Sequence, residues 1–174
     1  DVAAHMLDTD LRRISSQRDA WMPEPSGEVI ETAEDLTRFL NRLNEECVAV
    51  AKRFSPAVLI DLLEISGRNV ASLFESLDPH AEAFFPVSWA GQSVSPCWLD
   101  IAREFTEKWV HQAQIREAVG RDGLTDRPFL HPVLDAFVRA LPFTYSAVAA
   151  PGGTVVGVHI EGDAGGDWSL RREG

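Results

Sequence analysis

The sequence predicts a mostly helical protein, an up-and-down bundle of long helices followed by the beginning of a small α/β domain. Three observations carry that expectation. Apolar residues recur at helical spacing through four long stretches. A hydroxyl followed by proline, the signal of a helix start, precedes two of them, at Ser55-Pro56 and Ser95-Pro96. After Gly152-Gly153 the pattern changes to β-branched residues bounded by glycine turns.

Residues 1–18 read as the first helix, with Ala3, Ala4, Leu7, Leu11 and Ile14 on one face and His5 roughly opposite. Trp21 to Gly27, punctuated by Pro23 and Pro25, reads as a loop. Thr32 is an N-cap with Glu34 and Asp35 in the first turn behind it. The second helix then covers 33–53 and turns Leu36, Phe39, Leu40, Leu43, Cys47 and Val50 inward. Ser55-Pro56 starts a third helix over 56–77, weakened at its middle by Gly67. Asp78 to Ser95 is a connection rich in aromatic and turn residues.

The fourth helix is expected over 96–119, with Trp98, Ile101, Ala102, Phe105 and Trp109 as its buried stripe and Gly120 ending it. Pro132 to Leu141 reads as a short helix stopped by Pro142. Thr154 to Glu161 is a strand, Asp163 to Asp167 a turn, and Trp168 to Arg172 a second strand pairing back. This places a helical bundle at 1–121 and the start of an α/β domain at 130–174. The first helix has no residue before it to cap its N–H groups, and two strands alone are marginal. An extension upstream of Asp1 and downstream of Gly174 is therefore expected.

Composition narrows the function. The net charge is −11, from 27 acidic and 16 basic side chains. Such a chain lacks the basic footprint that phosphate backbones require, and the polybasic segment that anionic lipid attracts. No stretch approaches the roughly 18 apolar residues of a membrane span, and DVAAHMLDTD is not a signal peptide. Cys47 and Cys97 fall in helical patterns and form no disulfide framework, so a soluble protein of the reducing cytoplasm is expected. Of the 16 basic residues only Lys52 and Lys108 are lysines, the mark of a GC-rich genome.

Glu107 and His111 stand four apart in the fourth helix, so a carboxylate and an imidazole share one face. That spacing lets two side chains address one ion. It is also the spacing of an ordinary surface pair worth a few tenths of a kcal/mol, and spacing alone does not decide between them.

The string Asp1-Val2-Ala3-Ala4-His5-Met6-Leu7, and the run from Phe105 through Glu107, Trp109 and His111 to Arg116, point further. They resemble the second-helix and last-helix signatures of the mycothiol-dependent maleylpyruvate isomerase family, a branch of the DinB-like bundles. The runs Thr154 to Val158 and Ala164 to Leu170 resemble the first strands of that family's C-terminal domain. The family's opening helix has no counterpart, which implies a groove left for an earlier helix or a second chain, and Gln114 stands where the family commonly has an aspartate.

The resemblance implies a divalent metal, zinc by preference, held by His5, Glu107 and His111. Three such ligands leave a coordination position open, as catalytic sites do. The thiol it implies is mycothiol, and the Arg-rich composition fits the actinobacteria that make it. An activated thiolate would add to a small electrophilic substrate, then leave after rotation about the former double bond, or stay attached as in S-transfer. The alternative class is a non-catalytic metal-binding or partner-binding bundle, which a closed fourth ligand would favour.

Other candidates read as structural. Cys97 lies at a helix start, where the dipole can lower a thiol pKa, but a buried, inert cysteine is the better reading. His80, His131 and His159 fall in loop, loop and strand without matching partners. The glycines between Gly162 and Gly166 read as a hairpin turn rather than a phosphate loop, because no helix with a lysine follows.

Overall fold

The computed structural model describes residues 1–22, 27 and 29–173. The loop expected from Trp21 to Gly27 lies mostly outside the described residues. The chain is mostly helical with a two-stranded antiparallel sheet. It divides into two compact units, Asp1–Leu77 and Asp78–Gly174. Among the described residues no helix is long and apolar enough to cross a membrane.

The first unit holds α1 (Val2–Arg13), which runs on as one π-helical turn (Ile14–Arg18), then α2 (Ala33–Ala51) and α3 (Pro56–Ser76). α1 packs against both of the others. Thr32 caps α2 through a complete capping box: its hydroxyl accepts from Asp35 N, and the Asp35 carboxylate accepts from Thr32 N. Ser55 caps α3 in the expected way, accepting from Val58 N, and Gly67 does not interrupt the helix.

The buried face of α1 differs from the apolar count. Ala4, Leu7 and Ile14 are buried, but Leu11 is 48% exposed, and Asp10 and Arg13 take the inward positions. The physical reason is pairing. Ser66 of α3 donates to Asp10 Oδ2 at 2.9 Å. Arg13 donates to Gln17 Oε1 and lays its guanidinium over the Phe74 ring. On α2 the expected inward residues Leu36, Leu40 and Val50 are exposed, while Phe39, Leu43 and Cys47 are half-buried.

The second unit begins with the connection 78–96, which contains a 3-10 turn at Ser88–Ala90, and continues into α4 (Cys97–Ala118). It then adds α5 (Arg127–Val138), α6 (Leu141–Thr144), β1 (Val155–Ile160) and β2 (Gly166–Arg171). The connection folds back on the start of α4. Ala83 N donates to Ser95 O, Cys97 N to Ala81 O, and Trp98 N to Pro79 O. Backbone carbonyls thus take the helix's first N–H groups.

Ser95, expected as the cap, is buried and does something else: its hydroxyl accepts from Val87 N at 2.8 Å. Val87, Ala90 and Leu99 form the apolar centre here, with Trp89 packed on it. The close fit includes Gly91, whose φ is +76° and whose missing Cβ would stand 2.5 Å from the Phe143 ring.

α5 starts earlier than expected, at the Asp126-Arg127-Pro128 junction, and takes Pro132 inside it at the loss of one bond near its start. Pro142 lies in the first turn of α6. The hairpin pairs Val155 with Arg171 through to Ile160 with Gly166, so the glycines between 162 and 166 join two antiparallel strands, and Gly162 takes φ +96° in the turn. Arg127 holds the turn to α5 by donating to Asp163 O.

Ser95→Ala should leave the buried Val87 N–H without its acceptor, a cost of about 1–3 kcal/mol. Thr32→Ala, at an exposed cap, should cost about 1 kcal/mol. Amide exchange reads the difference directly. Val87 should lose protection in Ser95→Ala and keep it in Thr32→Ala, and unchanged protection in Ser95→Ala would contradict the assigned bond.

Candidate metal-ligating residues

α4 carries the chemistry-bearing residues of the second unit. Its buried positions are Cys97, Leu99, Asp100 and Thr106, not the expected stripe, since Trp98 and Phe105 are exposed. Polar contacts hold the two tryptophans of the expected stripe. Arg139 lies 5.4 Å over the Trp98 ring, and the Trp109 indole donates to Leu124 O at 2.8 Å. Asp100 is only 1% exposed because Arg103 donates to its Oδ1 at 2.6 Å and also reaches Glu104 at 3.0 Å.

Asp100, Glu104, Glu107 and His111 recur at helical spacing, so the pair singled out from the sequence continues the face that begins with buried Asp100. The helical backbone brings Glu107 and His111 together, with 3.5 Å between Oε2 and Nε2. His111 has 19% of its side chain exposed and Glu107 59%, so the imidazole is the anchored partner and the carboxylate the reachable one.

The other ring nitrogen has a partner as well. His111 Nδ1 stands 2.9 Å from Gln114 Oε1, one turn further along. A carbonyl oxygen can only accept, so Nδ1 is the donor there. Gln114 therefore makes a hydrogen bond to the imidazole.

His5 belongs to the first unit. It lies half-buried near the start of α1, with its backbone N–H bonded to Asp1 O. One turn on, Asp8 forms an ion pair with Arg12 at 2.8 Å, and Arg12 also donates to Asn44 of α2. Among the described residues no group of three or more His, Cys, Asp or Glu side chains is gathered closely enough to hold a metal ion.

The remaining histidines are structural or exposed. His131 lies in α5 rather than in a loop, bonded through Nδ1 to Ala164 O and stacked on Trp168. His159 faces Asp167 across the exposed side of the hairpin at 2.6 Å. His80 is exposed.

Cys97 is buried, with 3% exposure. Cys47, half-buried on α2, has its thiol pushed up by burial and then by the negative charge of Asp8. A raised thiol pKa means less thiolate at neutral pH. Iodoacetamide should therefore alkylate Cys47 more slowly than an unhindered cysteine near pH 7. Asp8→Asn should speed the reaction, and an unchanged rate would show that the carboxylate does not govern the thiol.

Compared with known proteins, the chain matches no family model, no curated protein and no solved structure at a significant level.

Proposed function

We propose that the chain binds one divalent metal ion, zinc by preference, through His5, Glu107 and His111, and uses it to activate a low-molecular-weight thiol. The observation behind this reading is the arrangement on α4. Glu107 Oε2 stands 3.5 Å from His111 Nε2 on one face of the helix, and Gln114 Oε1 stands 2.9 Å from Nδ1 on the other edge of the ring. Two electron-pair donors side by side suit a shared cation, and imidazole with carboxylate is a donor set that zinc accepts. His5 would complete a set of two imidazoles and one carboxylate.

A doubly charged ion facing one carboxylate keeps positive charge, and that charge favours a thiolate at a remaining coordination position. The chain's own residues would do the rest. Glu107 supplies the one negative ligand and sets the residual charge, while His111 is held in orientation by Gln114. Mycothiol is the thiol proposed, on the strength of the helix signatures and the Arg-rich composition. A small electrophile would be the substrate of isomerisation or S-transfer. The same reading assigns residues 1–121 to a DinB-like bundle, residues 130–174 to the start of an α/β domain, and the protein to an actinobacterial cytoplasm.

The second reading is a non-catalytic metal-binding or partner-binding module, and one observation favours it: the α2 stripe of Leu36, Leu40 and Val50 is exposed. An apolar stripe of this kind suits a protein partner.

Calorimetry with mycothiol, with and without zinc, separates the two. The enzyme reading predicts thiol binding only by the zinc-loaded protein. His111→Ala should abolish both metal and thiol binding, and Glu107→Gln should weaken metal binding by more than the about tenfold typical of an outer-shell change. Equal thiol binding without metal would overturn the mechanism, and metal binding without thiol binding would favour the module.

A further inference from the structure

We infer that the hollow between the α6 segment and the hairpin is a binding site for a small amphipathic anion, a carboxylate carried on a compact apolar body. None of its residues enters the metal reading above.

The hollow lies wholly within the second unit and has a volume of about 260 Å³. Its apolar walls follow from the local chain. Successive side chains of a strand alternate in face, so Val156 and Leu170, which pair across the hairpin, stand together on its half-buried side. Pro142 of α6 and Val148 of the turn after it line the hollow with them. That turn is tied back by Val148 N donating to Tyr145 O.

The charge of the lining runs against that of the chain. Net charge is −11, yet Arg171 and Arg172 line the hollow, and among the described residues around it there is no Asp or Glu. Arg172 is anchored there, its backbone N–H donating to Thr154 O and its Nη1 to Val148 O at 2.9 Å. A guanidinium has five N–H donors, so this bond leaves others for a ligand. Arg171 is exposed, and its guanidinium has no hydrogen-bond or ion-pair partner among the described residues.

The hydroxyl groups narrow the choice further. Ser146 Oγ donates to Phe143 O at 2.6 Å and Thr154 Oγ1 to Pro151 O at 2.7 Å, so both protons are committed. The donors left for a ligand are the two guanidiniums and the Tyr145 hydroxyl, which also makes no hydrogen bond among the described residues. A guanidinium fork matches a carboxylate, and apolar walls take what the carboxylate is attached to. The volume falls below the roughly 300–1,000 Å³ of sites for drug-sized molecules, so the ligand is smaller than those.

The test uses the full chain, labelled with nitrogen-15 on the backbone and with carbon-13 in its single tyrosine, and phenylacetate as the probe at about pH 7, where a carboxylate is ionised. Phenylacetate should move the Tyr145 ring signals and the amides of Val156 and Leu170, and the shifts should saturate. Phenylacetamide, neutral and of the same shape, should bind about tenfold more weakly for want of charge-assisted hydrogen bonds. Acetate, which lacks the apolar body, should leave these signals in place. Arg171→Gln removes one exposed charge without removing a bond within the protein, and should weaken phenylacetate about threefold. Arg171→Gln with Arg172→Gln should weaken it to the level of the amide. Equal affinity for acid and amide would overturn the inference, as would shifts confined to other residues or no saturable shift at all. Movement of the same signals on raising the protein concentration alone would assign the hollow to a second copy of the chain and overturn it too.

Discussion

The N-terminus of α4 is the constraint on which the second unit depends. A helix begins with N–H groups that have no partner within it, and a buried start must find acceptors elsewhere. Here they come from the preceding connection, which doubles back so that the Ala81 and Pro79 carbonyls meet Cys97 N and Trp98 N. The same fold-back places Ser95 inside, where its hydroxyl is taken by Val87 N, and brings Val87 and Ala90 onto Leu99. Glu107, His111 and Gln114 all lie on the helix anchored in this way, whereas His5 lies on α1 in the first unit.

That dependence explains which features were legible in the sequence. Thr32 and Ser55 cap the helices they precede, because a cap made by the residue just before a helix needs only local chain. Ser95-Pro96 carries the same signal, yet the hydroxyl is used by a residue eight positions back in a folded connection. The hairpin was legible for a local reason too, since glycine turns and β-branched runs act over a few residues.

The buried faces were less legible, because an apolar count cannot see a polar residue that has found its partner. Asp10 displaced Leu11 from the interior of α1 by accepting from Ser66, 56 residues away in the chain. On α4, Asp100 is buried against Arg103, while Trp98 stays exposed beneath Arg139. In each case a charge-assisted or ring contact offsets the cost of an arrangement that hydropathy alone would reject. The Glu107–His111 pair was legible as two residues sharing one face. Its relation to buried Asp100 and to Gln114 was not, because both rest on side-chain geometry.

The proposed metal site makes a chemical claim: nitrogen and oxygen ligands, and neither cysteine, would hold the ion. Cys97 is buried, and Cys47 sits beside a carboxylate that works against its ionisation. X-ray absorption on the zinc-loaded protein tests this most directly. The account predicts a first shell of nitrogen and oxygen at about 2.0–2.2 Å, with the outer scattering of two imidazoles. A zinc–sulfur shell at about 2.3 Å in protein prepared without added thiol, or zinc with no imidazole scattering, would contradict it.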